Sequence, residues 1–367
     1  AASDVYKRQI KYIFKRKGER IMENQTAYLI EAEKFEIRES PMPVCKDDEV
    51  LVQMKHVGIC GSDVMFYQDP TLGGALDVEL PIVLGHECAG IVVETGKNVK
   101  HLVKGDKVAL EPGIPCGKCE YCLSGQYNLC PEVNFMAAPP WKSAALHKYI
   151  SHPAAFTFKL PDNMDTIEGA MIEPLAVGVH AANRAQVQPG KSILILGAGC
   201  IGLMTLLACK GRGATDVTVV DLFANRLDKA LELGASRVIN AKEKNVIEEI
   251  EYITNGKGMN IVFETAGNKA TAQQVPYLVK AGGKAVMVGN VHGNPGIDLF
   301  TMNNKEADIL SVFRYRNIYP MAIEGVASGS MPVKKIASDF FTFDKVNEAF
   351  ACALKQKQTA LKVLIEF

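Results

Sequence analysis

Two rhythms of apolar and polar positions divide the chain. From about residue 190, short continuous apolar runs recur: Ile193-Leu194-Ile195-Leu196, Val217-Thr218-Val219-Val220, Ile261-Val262-Phe263 and Ala285-Val286-Met287-Val288. Unbroken apolarity suits parallel strands covered on both faces. Between them the helical period predicts helices over Ile201–Lys210, Asn225–Leu233, Val246–Thr254 and Ala270–Val279. Strand–helix alternation of this kind predicts an α/β, doubly wound parallel-sheet domain. Residues from about 26 to 110 read instead as β, in short runs such as Glu49–Met54 and Gly90–Glu94 bounded by Gly, Pro and Asp turns. A further strand starts after the turn in Val103–Val108, and the tail, 314–367, is mixed, with a helix over Asp344–Leu354. A chain that opens and closes in one style around an α/β middle suggests a cofactor domain set into another domain.

Ser192–Cys209 is uncharged and mostly apolar, at about the minimum length of a membrane span. Gly197, Gly199 and Gly202 interrupt it, so a buried strand, a tight turn and a buried helix are the better reading.

Composition narrows the partners. Lys+Arg equals Asp+Glu at 41 each, which gives no field favouring nucleic acid or an anionic membrane and suits a small-molecule substrate. The length of 367 residues fits about two domains. Ten cysteines without a secretory signal, four of them at metal spacing, point to a reducing, cytoplasmic setting. Cys45, Cys88, Cys209 and Cys352 are read as neutral thiols, as is Cys200. Ala1–Gln9 resembles the translation of a sequencing-library adapter, so residues 1–21 are expected to be a non-native leader ahead of a start at Met22 and are set aside from the fold.

Gly197-Ala198-Gly199-Cys200-Ile201-Gly202 follows one predicted strand and opens a helix, and Asp221 ends the next strand 19 residues after Gly202. In that setting G-x-G-x-x-G is a dinucleotide fingerprint: a tight turn at Gly197, close approach to the pyrophosphate at Gly199, helix–strand contact at Gly202. The phosphates would rest on the helix N-terminus. A carboxylate at Asp221 would accept from the adenosine ribose and repel a 2′-phosphate, which favours NAD over NADP. Arg226 either holds such a phosphate or lies along the adenine.

Residues 111–141 are rich in Gly, Pro and Cys and have no period. Cys116, Cys119, Cys122 and Cys130, as C-x2-C-x2-C-x7-C, can close a tetrahedral Zn²⁺ site with no open position, a structural staple for a lobe spanning 111–131. Cys60, His86 and Glu87, with Glu173, could form a second site of mixed ligands with room for an exchangeable one, as a catalytic zinc needs.

Four further segments complete a pattern: Gly58-Ile59-Cys60-Gly61-Ser62-Asp63, Gly85-His86-Glu87-x-x-Gly90, Ile172-Glu173-Pro174-Leu175-Ala176-Val177-Gly178-Val179-His180-Ala181, and Phe313-Arg314-Tyr315-Arg316-Asn317 followed by Tyr319–Ile323. From about Met22 the chain resembles the zinc-containing medium-chain dehydrogenases, and within them the sorbitol/xylitol (polyol) type. The resemblance implies a GroES-like catalytic domain (22–176 and 314–367), a Rossmann NAD-binding domain (177–313), and a homo-oligomer, dimer or tetramer. It implies that Cys60, His86 and Glu87 hold the catalytic zinc and that Glu173 reaches it directly or through water. Asp63 would fix the tautomer of His86, and Ser62 would begin a proton relay. Arg314 and Tyr315 would bind substrate hydroxyls beside Phe135.

The chain departs from that pattern at Met65 and Phe66, where relatives often carry His and Tyr, and at Ala138, where a hydroxyl is common. A less polar pocket is expected, lined by Phe66. The implied reaction is oxidation of a secondary alcohol of a polyol to a ketose with hydride transfer to NAD, with two zinc ions per subunit. Another medium-chain zinc dehydrogenase (butanediol, threonine or sugar-alcohol phosphate) is the nearest rival. A catalytically silent NAD-binding protein is a remote one.

Overall fold

The computed structural model describes residues 23–356 and 358–367. The expected leader and start at Met22 lie outside them.

The predicted α/β rhythm is realised as a six-stranded sheet. In spatial order its strands are Arg237–Asn240, Asp216–Asp221, Ser192–Leu196, Met259–Glu264, Val279–Met287 and Asp308–Ser311, and every neighbouring pair is parallel. Ser192–Leu196 lies centrally and buries Ile193, Leu194, Ile195 and Leu196 completely, because helices cover both faces. The helices Cys200–Gly211, Ala224–Glu232, Val246–Thr254 and Lys269–Leu278 fall within a residue or so of the predicted spans. Ser192–Cys209 is therefore strand, turn and helix, and no helix among the described residues is long and apolar enough to cross a membrane.

The second unit is a seven-stranded sheet. Along one path run Asp339–Thr342, Val363–Glu366, Glu49–Gly58, Glu87–Thr95, Lys107–Leu110 and Thr157–Lys159, and Tyr149–Pro153 pairs with Glu49–Gly58 off that path. The last two strands of the chain thus complete a sheet begun near its start. The register matters for chemistry: Gly58 lies opposite Glu87 on one side and Leu364 on the other. A Cβ at Gly58 would come within 2.2 Å of Glu87 Oε2, so glycine there lets the Glu87 side chain cross the strand.

The helix Ile172–Ala185 joins the two units, and a division at 176/177 falls inside it. It lies against Cys200–Gly211 closely enough that a Cβ at Gly178 would sit 2.6 Å from the Met204 carbonyl carbon. One buried cluster accordingly runs from Ala89 and Leu160 of the β unit to Ile195 and Leu203 of the parallel sheet. The units are bonded through a shared core, which holds the cleft between them.

Residues 111–135 have little regular structure: the bridge Gly113–Ile114 with Asn134–Phe135, the short helix Glu120–Leu123, and turns. This is the aperiodic lobe predicted from composition.

Candidate active site

Cys60 caps the helix Gly61–Gln68, and His86 and Glu87 stand at the start of the strand Glu87–Thr95. One donor atom from each of Cys60, His86 and Glu87 lies within 4.8 Å of the others. His86 and Glu87 are buried at 5% and 1% exposure. A thiol, an imidazole and a carboxylate converging in a buried place form a donor set suited to Zn²⁺, with a position left for a further ligand.

The surroundings support the same fit. Asp63, fully buried, accepts the Cys60 N–H at 3.1 Å through Oδ2 and the Gly85 N–H at 3.1 Å through Oδ1. It therefore clamps the two backbone segments that carry the donors. Its Oδ1 lies 3.4 Å from His86 Nδ1, facing that nitrogen as expected without a well-formed hydrogen bond. Burial disfavours a charged His86 ring, but Asp63 and Cys60 outweigh it and hold the imidazole well above its ordinary pKa. The cluster attracts positive charge, which a divalent cation supplies.

Lys362 was not foreseen. Its Nζ donates to both oxygens of Glu87 at 2.7 Å and to the Ile59 carbonyl at 3.0 Å, and the side chain is 4% exposed. The strand Val363–Glu366 carries it there by pairing with Glu49–Gly58. A carboxylate has about four lone-pair sites, so Glu87 can accept from Lys362 and still face a cation.

Glu173 stands outside the three-residue cluster, in the first turn of Ile172–Ala185. Its Oε1 accepts the Tyr315 hydroxyl at 2.8 Å in a buried contact. Burial pushes the Glu173 carboxyl up to about 7 against the pull of His86. Ser62 lies partly exposed in the helix next to Cys60. Phe135 stands 5.5 Å from the His86 ring, and the Arg314 guanidinium covers Phe135 at 4.3 Å. Phe66, expected to line the pocket, meets Trp141 edge-on at 4.8 Å.

In the lobe, one sulfur from each of Cys116, Cys119, Cys122 and Cys130 lies within 4.8 Å of the rest. Backbone N–H groups of Lys118 and Cys119 lower the Cys116 thiol to about 7, while burial and the neighbouring sulfurs push Cys122 up to about 12. Four sulfurs so close cannot all ionise alone, a conflict that a bound Zn²⁺ ion would resolve. The lobe is bonded to the 313–317 segment: Asn128 Nδ2 donates to the Phe313 carbonyl, Arg316 Nη1 to Asn128 Oδ1, and the Asn317 N–H to the Tyr127 hydroxyl.

The glycine turn is tightly closed at two of its three glycines. Gly197 has φ +104, and a Cβ at Gly202 would sit 1.9 Å from the Gly197 carbonyl oxygen. A Cβ at Gly199, by contrast, would meet only Arg226 Nη1 at 3.6 Å. The protein itself leaves that space open, as a pyrophosphate requires. Asp221 accepts the Ala198, Leu222 and Phe223 N–H groups, which ties it to the turn, and its Oδ2 is 4.0 Å from Arg226 Nη1. Cys200, first residue of the helix, feels the charges of Lys362, Glu87, Cys60 and Glu173, so the turn adjoins the donor cluster.

A zinc-type alcohol dehydrogenase architecture is what these two units and their donor sets define. Residues 46–162 match the alcohol dehydrogenase GroES-like domain, and residues 200–328 match the zinc-binding dehydrogenase domain. A sorbitol dehydrogenase of Bacillus subtilis is 41% identical over 93% of this chain and 96% of its own length. An L-idonate 5-dehydrogenase of Vitis vinifera is 40% identical over 93% and 94%. A crystal structure from Escherichia coli, described as an oxidoreductase/dehydrogenase of unknown specificity, superposes with a TM-score of 0.91 at 47% identity, covering 94% of this chain and 99% of its own. The chain belongs to the zinc-containing medium-chain dehydrogenases, is similar to sorbitol and L-idonate dehydrogenases among them, and is an oxidoreductase.

Proposed function

We propose that the enzyme oxidises a secondary hydroxyl of a polyol to a ketone with NAD as hydride acceptor. The observation that carries this reading is the buried Cys60–His86–Glu87 cluster adjoining the Gly197–Gly202 turn. Cys60, His86 and Glu87 would hold the catalytic zinc, with Glu173 beside them, and Cys116, Cys119, Cys122 and Cys130 a second, structural one. When bound, zinc supplies a Lewis acid for the reacting oxygen and NAD supplies the hydride acceptor.

The chain's own residues do the rest. Asp63 fixes the backbone on which Cys60 and His86 sit. Lys362 offsets one of the negative charges gathered at the cluster. Glu173, held through Oε1 by Tyr315, or Ser62 next to Cys60, would take the substrate's hydroxyl proton. Phe135, 5.5 Å from the His86 ring, would shield it from water. Gly199 leaves room for the pyrophosphate, and the carboxylate of Asp221 favours NAD over NADP, a preference that Arg226 at 4.0 Å would weaken.

A homo-oligomer, dimer or tetramer, fits the edge of the parallel sheet: beside and on the outer strand Asp308–Ser311, Leu299, Phe300, Ile309 and Phe313 are exposed. The described cysteines are all unpaired, which suits a cytoplasmic setting.

The test is a panel of C4–C6 polyols and ketoses run with NAD⁺/NADH and NADP⁺/NADPH on zinc-loaded protein. NAD-linked turnover of polyols at secondary carbons is expected. Turnover restricted to butanediol, threonine or a sugar-alcohol phosphate would replace the reading with another activity of the same family.

A further inference from the structure

Glu264 is a buried acid to which the reaction gives no part. It ends the strand Met259–Glu264 with no exposure to solvent. Its Oε1 accepts the Gly267 N–H at 3.0 Å and the Thr271 hydroxyl at 2.7 Å. Its Oε2 is buried with no hydrogen-bond partner. Burial raises the carboxyl above its ordinary pKa of 4.5, so the group lowers stability as pH rises past that value. A well-packed apolar side chain of similar size would avoid that cost. Stability alone therefore does not account for an acid at this position.

The sheet gives the acid a task. From the strand Ser192–Leu196 the order runs outward both ways, to Asp216–Asp221 on one side and to Met259–Glu264 and Val279–Met287 on the other. A dinucleotide lies across the carboxyl ends of such a sheet at that switch point, one half on each side. Asp221 stands on the adenosine side, so the nicotinamide half rests over the turns that follow Glu264 and Met287. Those turns touch. A Cβ at Gly289 would lie 2.6 Å from Glu264 Oε2 and 2.3 Å from the Gly267 nitrogen, and one at Gly267 would lie 3.2 Å from the Asn290 nitrogen. The Glu264 carbonyl accepts the Val288 and Gly289 N–H groups at 2.9 Å each. On its other flank Thr265 Oγ1 donates to the Leu196 and Gly197 carbonyls, and a Cβ at Gly197 would lie 3.1 Å from Ala266. Glu264 thus stands where the pyrophosphate turn, 265–268 and 288–290 meet.

We propose that Glu264 is a positioning residue for the nicotinamide half of the cofactor: its carboxyl fixes the turns 265–268 and 288–290 against each other, and their backbones form the bed on which that half rests. Glu264 does not touch the cofactor. Hydride transfer needs the nicotinamide ring held at one distance from the reacting carbon, and a rigid bed supplies that. The inference rests on the NAD part of the proposed function and is independent of the substrate.

Calorimetric titration of zinc-loaded protein with NADH and with ADP, which carries the adenosine half and the pyrophosphate alone, separates the two halves. Melting temperature and zinc content establish that each variant is folded. Glu264→Asp withdraws the carboxyl by one methylene from Gly267 and Thr271. It should weaken NADH binding about tenfold or more and leave ADP binding within about twofold of wild type. Glu264→Gln keeps the Oε1 acceptor and should hold NADH affinity within about threefold. Should Glu264→Asp fail to fold, Thr271→Val removes one donor to Oε1 from a partly exposed position and should weaken NADH about threefold or more with ADP unchanged. Equal weakening of NADH and ADP, the result of a merely structural acid, overturns the inference and leaves the dinucleotide site standing. So does unaltered NADH affinity in the folded variants. A wild type that binds neither ligand defeats NAD as the cofactor and the inference with it.

Discussion

Lys362 Nζ lies 2.7 Å from both carboxylate oxygens of Glu87, across 275 residues of sequence and with almost no exposure to solvent. The pair closes the C-terminal strand over the donor cluster and neutralises one of its acids. Removing one member of a buried ion pair leaves the other charge uncompensated, at roughly 3–5 kcal/mol. Lys362→Met should therefore lower the unfolding free energy by about that amount in denaturant titrations. A loss below about 1 kcal/mol would mean that Glu87 is compensated by something else.

The two shaped glycines separate folding from cofactor binding. Gly202→Ala forces a Cβ to within 1.9 Å of the Gly197 carbonyl and should destabilise the domain itself. Gly199→Ala meets only Arg226 at 3.6 Å, so its melting temperature should stay near wild type. Its NADH affinity, measured by fluorescence titration, should fall at least tenfold, about 1.4 kcal/mol. Unaltered NADH affinity in Gly199→Ala would place the pyrophosphate elsewhere.

The lobe should act on the cleft through Asn128, Tyr127 and Gly125, which bond Phe313, Arg316 and Asn317. Cys122→Ser, which breaks the four-sulfur set, should raise amide hydrogen exchange in residues 116–135 and also in 313–317. Exchange confined to the lobe would show that the 313–317 segment holds its shape without it.

Glu111 gives a pH signature. It is buried, its Oε1 accepts the Tyr127 hydroxyl at 2.8 Å, and burial pushes its carboxyl from 4.5 up to about 7. Between those values the folded protein binds more protons than the unfolded chain, so this group lowers stability as pH rises from 4.5 to about 7, then no further. Glu111→Gln keeps the acceptor and removes the titration. Relative to wild type it should gain up to about 3 kcal/mol between pH 4.5 and pH 8 in denaturant-derived stability. His152, whose Nε2 faces the Glu111 carbonyl at 3.1 Å, is pushed down to about 4 by burial and weakens both proteins alike below pH 6.5. A pH-independent difference would show Glu111 ionised throughout.

What could be read from the sequence was whatever depends on near neighbours. The glycine turn and the four-cysteine lobe are local in spacing, and both close as their spacing demands. The parallel strands announced themselves because two-sided burial leaves no polar position in Ile193–Leu196. Contacts made by strand register were invisible: nothing near Lys362 points to Glu87, and only the alignment of Leu364, Gly58 and Glu87 across three strands brings them together. The tie of Arg316 to Asn128 was equally invisible, a tertiary contact across 188 residues. Glu173 read as a ligand by its motif, and its bond to Tyr315 belongs to the packing of the 313–317 segment against the helix Ile172–Ala185, which no spacing encodes.

Metal content read beside NADH formation, in wild type and in Cys60→Ser, tests the central claim most directly. Two zinc ions per chain and polyol-dependent NADH formation are predicted for wild type. Cys60→Ser should keep one zinc, held by the four-cysteine lobe, bind NADH normally and form no NADH from polyol. A Cys60→Ser protein that retained both ions and full NADH formation would contradict the account.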